Sequence, residues 1–265
     1  MKVDILGVKI DNVSLTDALV KVEKWIWNPT VYKKGKRYVS PKAKGKVLAK
    51  RGFYIVTPNP EFIVVAQKDE LFRKILNDAD LSIPDGMGLK LSGKVKNTFS
   101  GTDFMEKLVK LAAEKGFATG FLGGKDEVAK RCAECLKKKY PGLKVVFAES
   151  GGEIDRNGTM LSDYRLPATA TEDGRLKSVD ILFVAFGHIK QEKWIAKNLD
   201  KIPTHVAMGV GGAFDYLSGA IPRAPKWMRN LGFEWLFRLV IQPWRIKRQL
   251  ALLQYVWLLI FQKKI

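Results

Sequence analysis

The chain has 265 residues, an apolar content of 46% and a formal net charge of +19. Its length allows one large α/β domain, or one domain with an appendage. Residues 28–52 carry nine Lys/Arg and no acid, and residues 221–265 carry nine Lys/Arg and one acid, so these segments hold +17 of the +19. A basic DNA-binding face normally belongs to the fold itself, so this distribution excludes a nucleic acid as the favoured partner and points to an anionic membrane surface.

The first quarter of the chain is predicted to hold a strand, a helix and a basic insert. Residues 3–10 have the pattern of a strand, and Ser14 to Asp17 open a helix that runs to about Trp27. Residues 28–52 contain Gly, Pro and Lys without a firm period and are predicted to form a flexible basic loop. No signal peptide is expected, because the first four residues lead directly into an amphipathic pattern.

A β-α-β unit follows at residues 53–88, with a strand at 53–57, a helix at 61–77 and a second strand at 81–83. Polar residues follow both strands at the edge of an open α/β sheet where ligands bind.

Thr57, Asn59 and Asp85 are therefore predicted to face a common crevice. Asp85 stands between Pro84 and Gly86, where it is poorly placed for packing. It could act in catalysis, or it could serve as an Asx-turn or helix cap.

The rest of the chain to residue 210 alternates strands with helices, as in a mostly parallel, doubly wound sheet. The predicted elements are a helix at 102–115 capped by Thr102 or Asp103, a strand at 117–122, a helix at 126–139, a strand at 143–148, a surface excursion at 150–178, a strand at 180–186, a helix carrying Trp194 and a strand at 205–210. The strand DILFVAF at 180–186 is the most apolar of these and is expected in mid-sheet.

Four motifs suggest chemistry but carry weak signals. Gly209-Val-Gly211-Gly212 lacks the third glycine and the downstream acid of a dinucleotide fingerprint, which disfavours an oxidoreductase. Asp78-Ala-Asp80 resembles a metal-binding D-x-D but precedes a strand, at the wrong end of the sheet. Cys132 and Cys135 form a lone C-x-x-C, and Gly123-Gly124-Lys125 is compatible with a phosphate site or with an ordinary turn. The sequence predicts no metal and no cofactor.

The C-terminal segment 221–265 is predicted to be a basic helical appendage. Arg238, Arg245 and Arg248 would share one face of a continuing helix that Pro243 kinks. Four tryptophans favour a bilayer–water boundary, whereas the apolar run at 250–261 is too short to span. The segment is predicted to lie on a membrane. The alternative is a solvated helix packed on the core or against a partner subunit.

Eight stretches of the chain together match the motifs of one known family: TPNPEFIVVAQKD, ADLSIPDGMG, GTD at 101–103, FLGGKDEVAKR, YPGLKVV, DILFVAFGHIKQEKWI, GVGGAFDYLSG and RAPKWMRNLGFEWLFRL. Through them the chain resembles the WecG/TagA/CpsF glycosyltransferases of bacterial surface-polymer synthesis. The resemblance implies a Rossmann-like core at 1–220 with helices on both faces, and metal-independent, inverting transfer from a UDP-sugar. It implies a polyprenyl-diphosphate-linked sugar as acceptor, a cytoplasmic enzyme peripheral on the inner face of the cell membrane, and an appendage that completes the active site.

The resemblance also implies roles for individual residues. Asp85 resembles the general base, which need only stay ionised and within reach of the acceptor hydroxyl, with Thr57 and Asn59 beside it. Gln191 resembles a substrate-contacting residue. The arginines that resemble those meeting diphosphate are Arg238, Arg245 and Arg248.

A different class of function stays open on the sequence alone. The chain could be a non-enzymatic, membrane-associated Rossmann-like module that binds a nucleotide or an anionic lipid. Such a module would need the basic appendage but not Asp85. An N-acetylhexosamine such as N-acetylmannosamine is expected as the transferred sugar. A homo-oligomer is compatible with the sequence.

Overall fold

The protein is described by a computed structural model that covers residues 1–27, 30–33, 36–39, 52–161 and 179–261. For 30–33, 36–39, Asn230, Arg245, Lys247, Arg248 and Gln249 only the backbone is described. Part of the predicted insert at 28–52 and most of the predicted excursion at 150–178 therefore lie outside the described residues.

Strands and helices alternate through the described part of the chain. In chain order they are β1 (Lys2–Ile5), β2 (Val8–Asp11), α1 (Leu15–Trp27), β3 (Thr30–Lys33), β4 (Lys36–Val39), β5 (Phe53–Val56), α2 (Pro60–Ala66), α3 (Glu70–Asn77), β6 (Leu81–Ser82), a 3-10 helix (Met87–Ser92), α4 (Gly101–Lys115), β7 (Ala118–Gly123), α5 (Val128–Lys139), β8 (Lys144–Glu149), β9 (Val179–Ala185), α6 (Lys190–Asn198), β10 (Thr204–Gly209), α7 (Ala213–Leu217), α8 (Lys226–Asn230), α9 (Glu234–Ile241), a 3-10 turn (Pro243–Arg245) and α10 (Ile246–Phe261).

Six of the strands form one sheet in the order β6-β5-β10-β9-β7-β8, and every pairing in it is parallel. The apolar strand β9 lies between β10 and β7, which confirms its predicted place in mid-sheet. One face packs on α1, α4, α5 and α7, and the other on α2, α3, α6, α10 and the β1–β2 hairpin. The predicted α/β fold, with helices on both faces of a parallel sheet, is confirmed.

The predicted strand at 3–10 is instead an antiparallel hairpin of β1 and β2. Leu6 and Gly7 take positive φ angles of 52° and 82°, as a tight two-residue hairpin turn requires. The Gly7 N–H donates to Asp4 Oδ1 at 2.9 Å and holds the turn. The prediction was wrong because Leu6 is not a residue that normally signals this conformation.

The predicted helix at 61–77 is divided into α2 and α3. Asp69 leaves the helical conformation with a φ of −123°, and its side chain accepts the Phe72 N–H as the N-cap of α3. Lys193 Nζ lies 2.7 Å from Asp69 Oδ2, which ties α3 to α6. Helix periodicity continues across the break, so apolar spacing alone does not locate it.

The predicted loop at 28–52 contains the antiparallel strands β3 and β4, so the expectation of a loop throughout was wrong for these residues. The predicted single kinked helix in the tail was also wrong. Gln242 has an extended φ of −128°, which ends α9 before the 3-10 turn and α10 begin. Arg238 and Arg248 consequently lie on different helices, and the spacing that aligned the three arginines on one face does not apply.

Helix α10 packs on the core through buried Tyr255 and Leu258. This is the packed arrangement that the sequence offered as an alternative. The opposite face of α10 is exposed and apolar, through Leu250, Leu253, Trp257, Ile260 and Phe261. Among the described residues, none of the helices has the length and apolarity needed to cross a bilayer.

Candidate active site

A cleft of about 630 Å³ opens at the carboxyl ends of the parallel strands, the edge at which open α/β sheets bind ligands. Its walls come from the segments after β5, β6, β7, β9 and β10, from the start of α4, and from α9. Five of the residues predicted for the site line this one cleft: Thr57, Asn59, Asp85, Gln191 and Arg238.

Asp85 lies between strand β6 and helix α4. Its backbone N–H donates to the Pro58 carbonyl at 2.9 Å. Its carboxylate accepts a hydrogen bond from the backbone N–H of Gly101, the first residue of α4. The N-cap residue of α4 is Ser100, which accepts the Thr102 N–H, while Asp85 accepts the Gly101 N–H from outside the helix.

The pKa of Asp85 is raised to about 7. Burial is the main cause, and the negative charge of Glu234 adds to it. The Gly101 N–H and the Arg223 guanidinium oppose the rise, while Asp103 reinforces it. The sequence required only that Asp85 stay ionised, whereas here the carboxyl exchanges its proton near neutral pH, which suits a general acid or base.

Thr57 and Asn59 reach the cleft from the segment after β5. Gly101 packs on Thr57 so closely that a Cβ there would lie 3.3 Å from Thr57 Oγ1 and Cγ2. The side-chain oxygen of Asn59 accepts the Phe62 N–H at 3.0 Å as the N-cap of α2. The Asn59 oxygen is therefore committed to the helix, and the amide Nδ2 is the part that can serve a ligand as a donor.

Gln191 is held by two neighbours of fixed polarity. Its Oε1 accepts the Gly211 N–H at 2.9 Å, and its Nε2 donates to Glu192 Oε1 at 2.7 Å. Glu192 is fully buried, and burial raises its pKa to about 7 against the effect of the Gln191 hydrogen bond.

The Gly209-Val-Gly211-Gly212 motif provides clearance for these side chains. A Cβ on Gly209 would lie 2.6 Å from Glu192 Oε1 and 2.8 Å from Gln191 Nε2. A Cβ on Gly212 would lie 2.5 Å from Arg238 Nη2. The motif therefore has a packing reason in this fold, and it does not have to be a dinucleotide fingerprint.

Arg238 on α9 reaches the cleft beside Gly212. Its guanidinium carbon lies 4.9 Å from the centre of the Tyr216 ring, and its Nε donates to Gln242 Oε1 at 3.3 Å. The backbones of Arg245 and Arg248 lie in the 3-10 turn and in α10, but their side chains fall outside what the structure describes. Of the three predicted appendage arginines, Arg238 is the one placed in the cleft.

No role was predicted for Arg223, which joins the tail to the start of α4 beside Asp85. Its Nη1 donates to Asp103 Oδ1 at 2.7 Å, its Nε to Glu234 Oε1 at 3.2 Å and its Nη2 to Ser100 Oγ at 3.3 Å. Arg229 Nη1 also reaches Asp103 Oδ1, at 3.2 Å. These partners are more than 100 residues away in the chain, except Glu234, and residue spacing cannot indicate such contacts.

Further polar side chains line the wall of the cleft that is formed by the segments after β7 and β9. Lys125 and Arg131 come from the β7–α5 turn and α5, and both are exposed cations. His188 lines the same cleft and has its Nε2 2.9 Å from Glu61 Oε1. The Gly123-Gly124-Lys125 segment was noted in the sequence as a possible phosphate site. No role in the site was predicted for Arg131 or His188.

The D-x-D motif lies at the opposite edge of the sheet. Asp78 is the C-cap of α3, and Asp80 Oδ2 accepts the Tyr54 N–H at 3.0 Å, near the amino ends of β5 and β6. Within the described residues there is no group of three or more His, Cys, Asp or Glu side chains that could hold a metal ion.

Comparison with known proteins identifies the family of the chain. The model of the "Glycosyl transferase WecG/TagA/CpsF family" matches residues 36–265. Similar proteins include the N-acetylglucosaminyldiphosphoundecaprenol N-acetyl-beta-D-mannosaminyltransferases of Bacillus subtilis (strain 168), Bacillus spizizenii (strain ATCC 23059 / NRRL B-14472 / W23) and Staphylococcus aureus (strain NCTC 8325 / PS 47). Their identities are 31%, 32% and 29%, over 81%, 78% and 93% of this chain and 82%, 78% and 87% of their own lengths. The chain belongs to the WecG/TagA/CpsF family of glycosyltransferases.

Proposed function

We propose that this glycosyltransferase moves an N-acetylhexosamine, such as N-acetylmannosamine, from a UDP-sugar to a sugar carried on a polyprenyl diphosphate. The transfer inverts the anomeric centre and needs no metal. The similar proteins are named for transfer of N-acetylmannosamine to N-acetylglucosaminyl-diphosphoundecaprenol, which supports this choice of sugar and acceptor class. The product would contribute to a cell-surface polysaccharide or teichoic acid.

The observation that carries the proposal is the Asp85 carboxyl in the cleft, with its pKa raised to about 7. An acceptor hydroxyl is a weak nucleophile, so a carboxylate must take its proton as the oxygen attacks. The new bond joins that oxygen to the anomeric carbon. The bond from this carbon to the β-phosphate oxygen breaks, and UDP leaves with the electron pair. Asp85 holds the proton and releases it to solvent.

The leaving diphosphate gains negative charge, and the cleft supplies positive groups for it. Arg238 contributes a guanidinium from α9, and Lys125 and Arg131 contribute cations from the opposite wall. Preorganised donors of this kind stabilise developing charge in a site that excludes water. This arrangement supports leaving-group stabilisation by side chains, and the appendage thereby has a chemical role as well as a docking role.

The tail also supports binding to an anionic membrane at the inner face of the cell membrane. Residues 221–265 carry nine Lys/Arg and one acid. Large apolar side chains on the described part of this tail are exposed to solvent, among them Trp227, Trp235, Trp244 and Trp257. Basic and aromatic residues without a spanning helix are typical of segments that lie in the interface.

The test is release of UDP from a panel of UDP-N-acetylhexosamines with a lipid-diphosphate-linked N-acetylglucosamine analogue as acceptor. We expect acceptor-dependent release with one donor preferred, and loss of release in Asp85→Asn. Arg238→Ala should lower kcat by roughly 10²-fold, which is typical for one lost transition-state donor. Binding of UDP without acceptor-dependent release from any donor would instead favour a non-enzymatic nucleotide-binding module.

A further inference from the structure

Glu192 is a buried carboxylate next to the cleft that the proposed chemistry leaves unused. It has no solvent-exposed surface, and it lies on the first turn of α6 beside Gln191. Among the described residues its Oε1 accepts a hydrogen bond from Gln191 Nε2 at 2.7 Å, and its carboxyl group also faces the backbone N–H groups of Ile189 and Glu192 at the start of α6, which lower its pKa. Burial still raises the pKa of this carboxyl to about 7, so these hydrogen bonds offset only part of the cost of burying its charge.

The polarity of the neighbours fixes the orientation of the Gln191 amide. The Gly211 backbone N–H is a donor, so the atom that faces it at 2.9 Å must be the Gln191 oxygen. The Glu192 oxygen faces the other end of the amide and accepts one of the two Nε2 hydrogens. The second Nε2 hydrogen is left for the cleft that Gln191 lines.

The end of strand β10 leaves space for the Gln191 and Glu192 side chains. The backbone of Gly209 leaves no room for a side chain beneath Glu192 Oε1 and Gln191 Nε2, since a Cβ would approach them to 2.6 and 2.8 Å. The φ angle of Gly209 is not positive, so close approach is what requires glycine here. The Gly211 N–H and the Glu192 carboxyl thus hold the Gln191 amide in one orientation, and Gly209 leaves the space for it.

We propose that Glu192 is a positioning residue that makes Gln191 a hydrogen-bond donor to an oxygen acceptor of the bound sugar nucleotide. Without the Glu192 carboxylate, the Gln191 side chain could leave Gly211, turn its oxygen toward the cleft and repel that acceptor. The identity of the ligand rests on the proposed function. The orientation of the Gln191 amide rests on the hydrogen bonds alone.

The activity test compares variants of the full-length protein. Gln191→Ala and Glu192→Leu should each lower kcat/KM by about 10- to 100-fold, the worth of one hydrogen bond to a charged or strongly polar group. The double variant should lose no more than the worse single variant, because both act through one amide. Glu192→Gln keeps an acceptor oxygen and should stay within about 3-fold of the unmodified protein. Glu114→Leu, at an exposed glutamate on α4, is the matched control.

Thermal unfolding separates positioning from packing. Because burial raises the pKa of Glu192 to about 7, burial of its charge costs folding free energy above that pH, and an apolar side chain removes this cost. Glu192→Leu should therefore keep or raise the Tm while it loses activity. A Glu192→Leu variant with full kcat/KM, or losses that multiply in the double variant with Gln191→Ala, would overturn the assignment.

A readout that needs no activity keeps the inference separate from the proposed function. Hydrogen exchange of peptides covering residues 204–217 reports the Gly211 N–H that Gln191 Oε1 accepts. Exchange at Gly211 should be faster in Gln191→Ala and in Glu192→Leu, and unchanged in Glu114→Leu. Unchanged exchange in Glu192→Leu would overturn the positioning role even if sugar transfer is confirmed. Faster exchange with no transfer by the unmodified protein would uphold the orientation and reject the function.

Discussion

Arg223 Nη1 lies 2.7 Å from Asp103 Oδ1, and this ion pair joins the C-terminal tail to the first turn of α4. The same guanidinium reaches Glu234 Oε1 with its Nε at 3.2 Å. One arginine thus lies between two carboxylates, all three within electrostatic reach of Asp85. The tail therefore contributes both signs of charge to the surroundings of the proposed base.

The two tail charges should shift the pH profile in opposite directions. Arg223 lowers the pKa of Asp85 and Glu234 raises it. Arg223→Ala should therefore move the acid limb of kcat/KM to higher pH, and Glu234→Gln should move it to lower pH. At pH 7, close to the pKa of Asp85, Arg223→Ala should lose activity because less of the carboxyl is ionised, and the loss should disappear as the pH rises.

The control for these profiles is the exposed ion pair of Lys110 and Glu114, with 3.6 Å between Nζ and Oε1. Surface pairs contribute little to stability, so Lys110→Ala should leave the acid limb in place. Shifts of Arg223→Ala and Glu234→Gln in the same direction would contradict electrostatic tuning of Asp85 by the tail.

Asp85→Asn should separate activity from stability. Loss of a general base costs roughly 10²–10⁴-fold in transfer rate. The folded-state pKa of Asp85, about 7, lies above its ordinary value, so the folded protein binds this proton more tightly than the unfolded chain does. Stability should therefore fall as the pH rises from about 4 through 7 and stay lower above that.

The amide removes this loss, so Asp85→Asn should unfold at a higher temperature than the unmodified protein at pH 8, and the gain should disappear near pH 4. Scanning calorimetry at both pH values measures it. Near-normal turnover of Asp85→Asn would remove Asp85 from the mechanism. Equal Tm values of the two proteins at pH 8 would contradict the raised pKa of Asp85 in the folded state.

Asn59 has two jobs that one pair of variants can separate. Its oxygen caps α2, and an N-cap contributes about 1 kcal/mol, so Asn59→Ala should lower both stability and transfer. Asn59→Ser keeps a capping oxygen but lacks the amide donor. It should keep its Tm and still lose transfer, by less than Asp85→Asn does. Full activity of Asn59→Ser would restrict Asn59 to the cap. Thr57→Ala should likewise show a smaller loss than Asp85→Asn.

The parallel sheet and three of the cleft residues were predictable from the sequence for a physical reason. Parallel strands place their carboxyl ends along one edge, so Thr57, Asn59 and Asp85 had to converge once their strands were identified. The roles of Gln191 and Arg238 in the site came from resemblance alone. The break at Asp69 depends on a cap, and the role of Arg223 depends on contacts with residues more than 100 positions away. Neither leaves a mark in apolar spacing.

Chelation of metal ions tests the proposal that side chains, without a metal, stabilise the leaving diphosphate. The D-x-D residue Asp80 bonds the Tyr54 backbone at the far edge of the sheet. We therefore expect transfer to continue in EDTA and to change less than 2-fold on addition of Mg²⁺ or Mn²⁺. Asp80→Asn should affect the Tm rather than the metal response. Strong activation by Mn²⁺ or Mg²⁺ that is lost in Asp80→Asn would indicate that the D-x-D motif binds a metal. It would also weaken the proposal that Arg238 stabilises the leaving diphosphate.

Two faces of α10 should respond differently to substitution. Leu258 is buried against the core and Leu253 is 67% exposed. Leu258→Ala should lower the free energy of unfolding by about 2–5 kcal/mol, the usual cost of a buried leucine. Leu253→Ala should change it little. Deleting residues 221–265 would remove Tyr255 and Leu258 from the core together, so substitution of one face tests membrane binding more cleanly than truncation.

Membrane binding should depend on the exposed face of α10 and on salt. The variant Leu253→Glu/Trp257→Glu places two carboxylates where apolar side chains would enter the interface, and it leaves the buried face intact. Sedimentation with anionic liposomes should show binding that falls steeply in this variant, while its Tm stays near that of the unmodified protein. Each basic residue near an anionic surface contributes about 1 kcal/mol, so binding of the unmodified protein should also weaken between low and physiological salt.

If the double variant sediments with liposomes as well as the unmodified protein does, this face of α10 is not the membrane contact. Loss of binding with full transfer to a soluble acceptor would confine the face to docking and leave leaving-group stabilisation to Arg238.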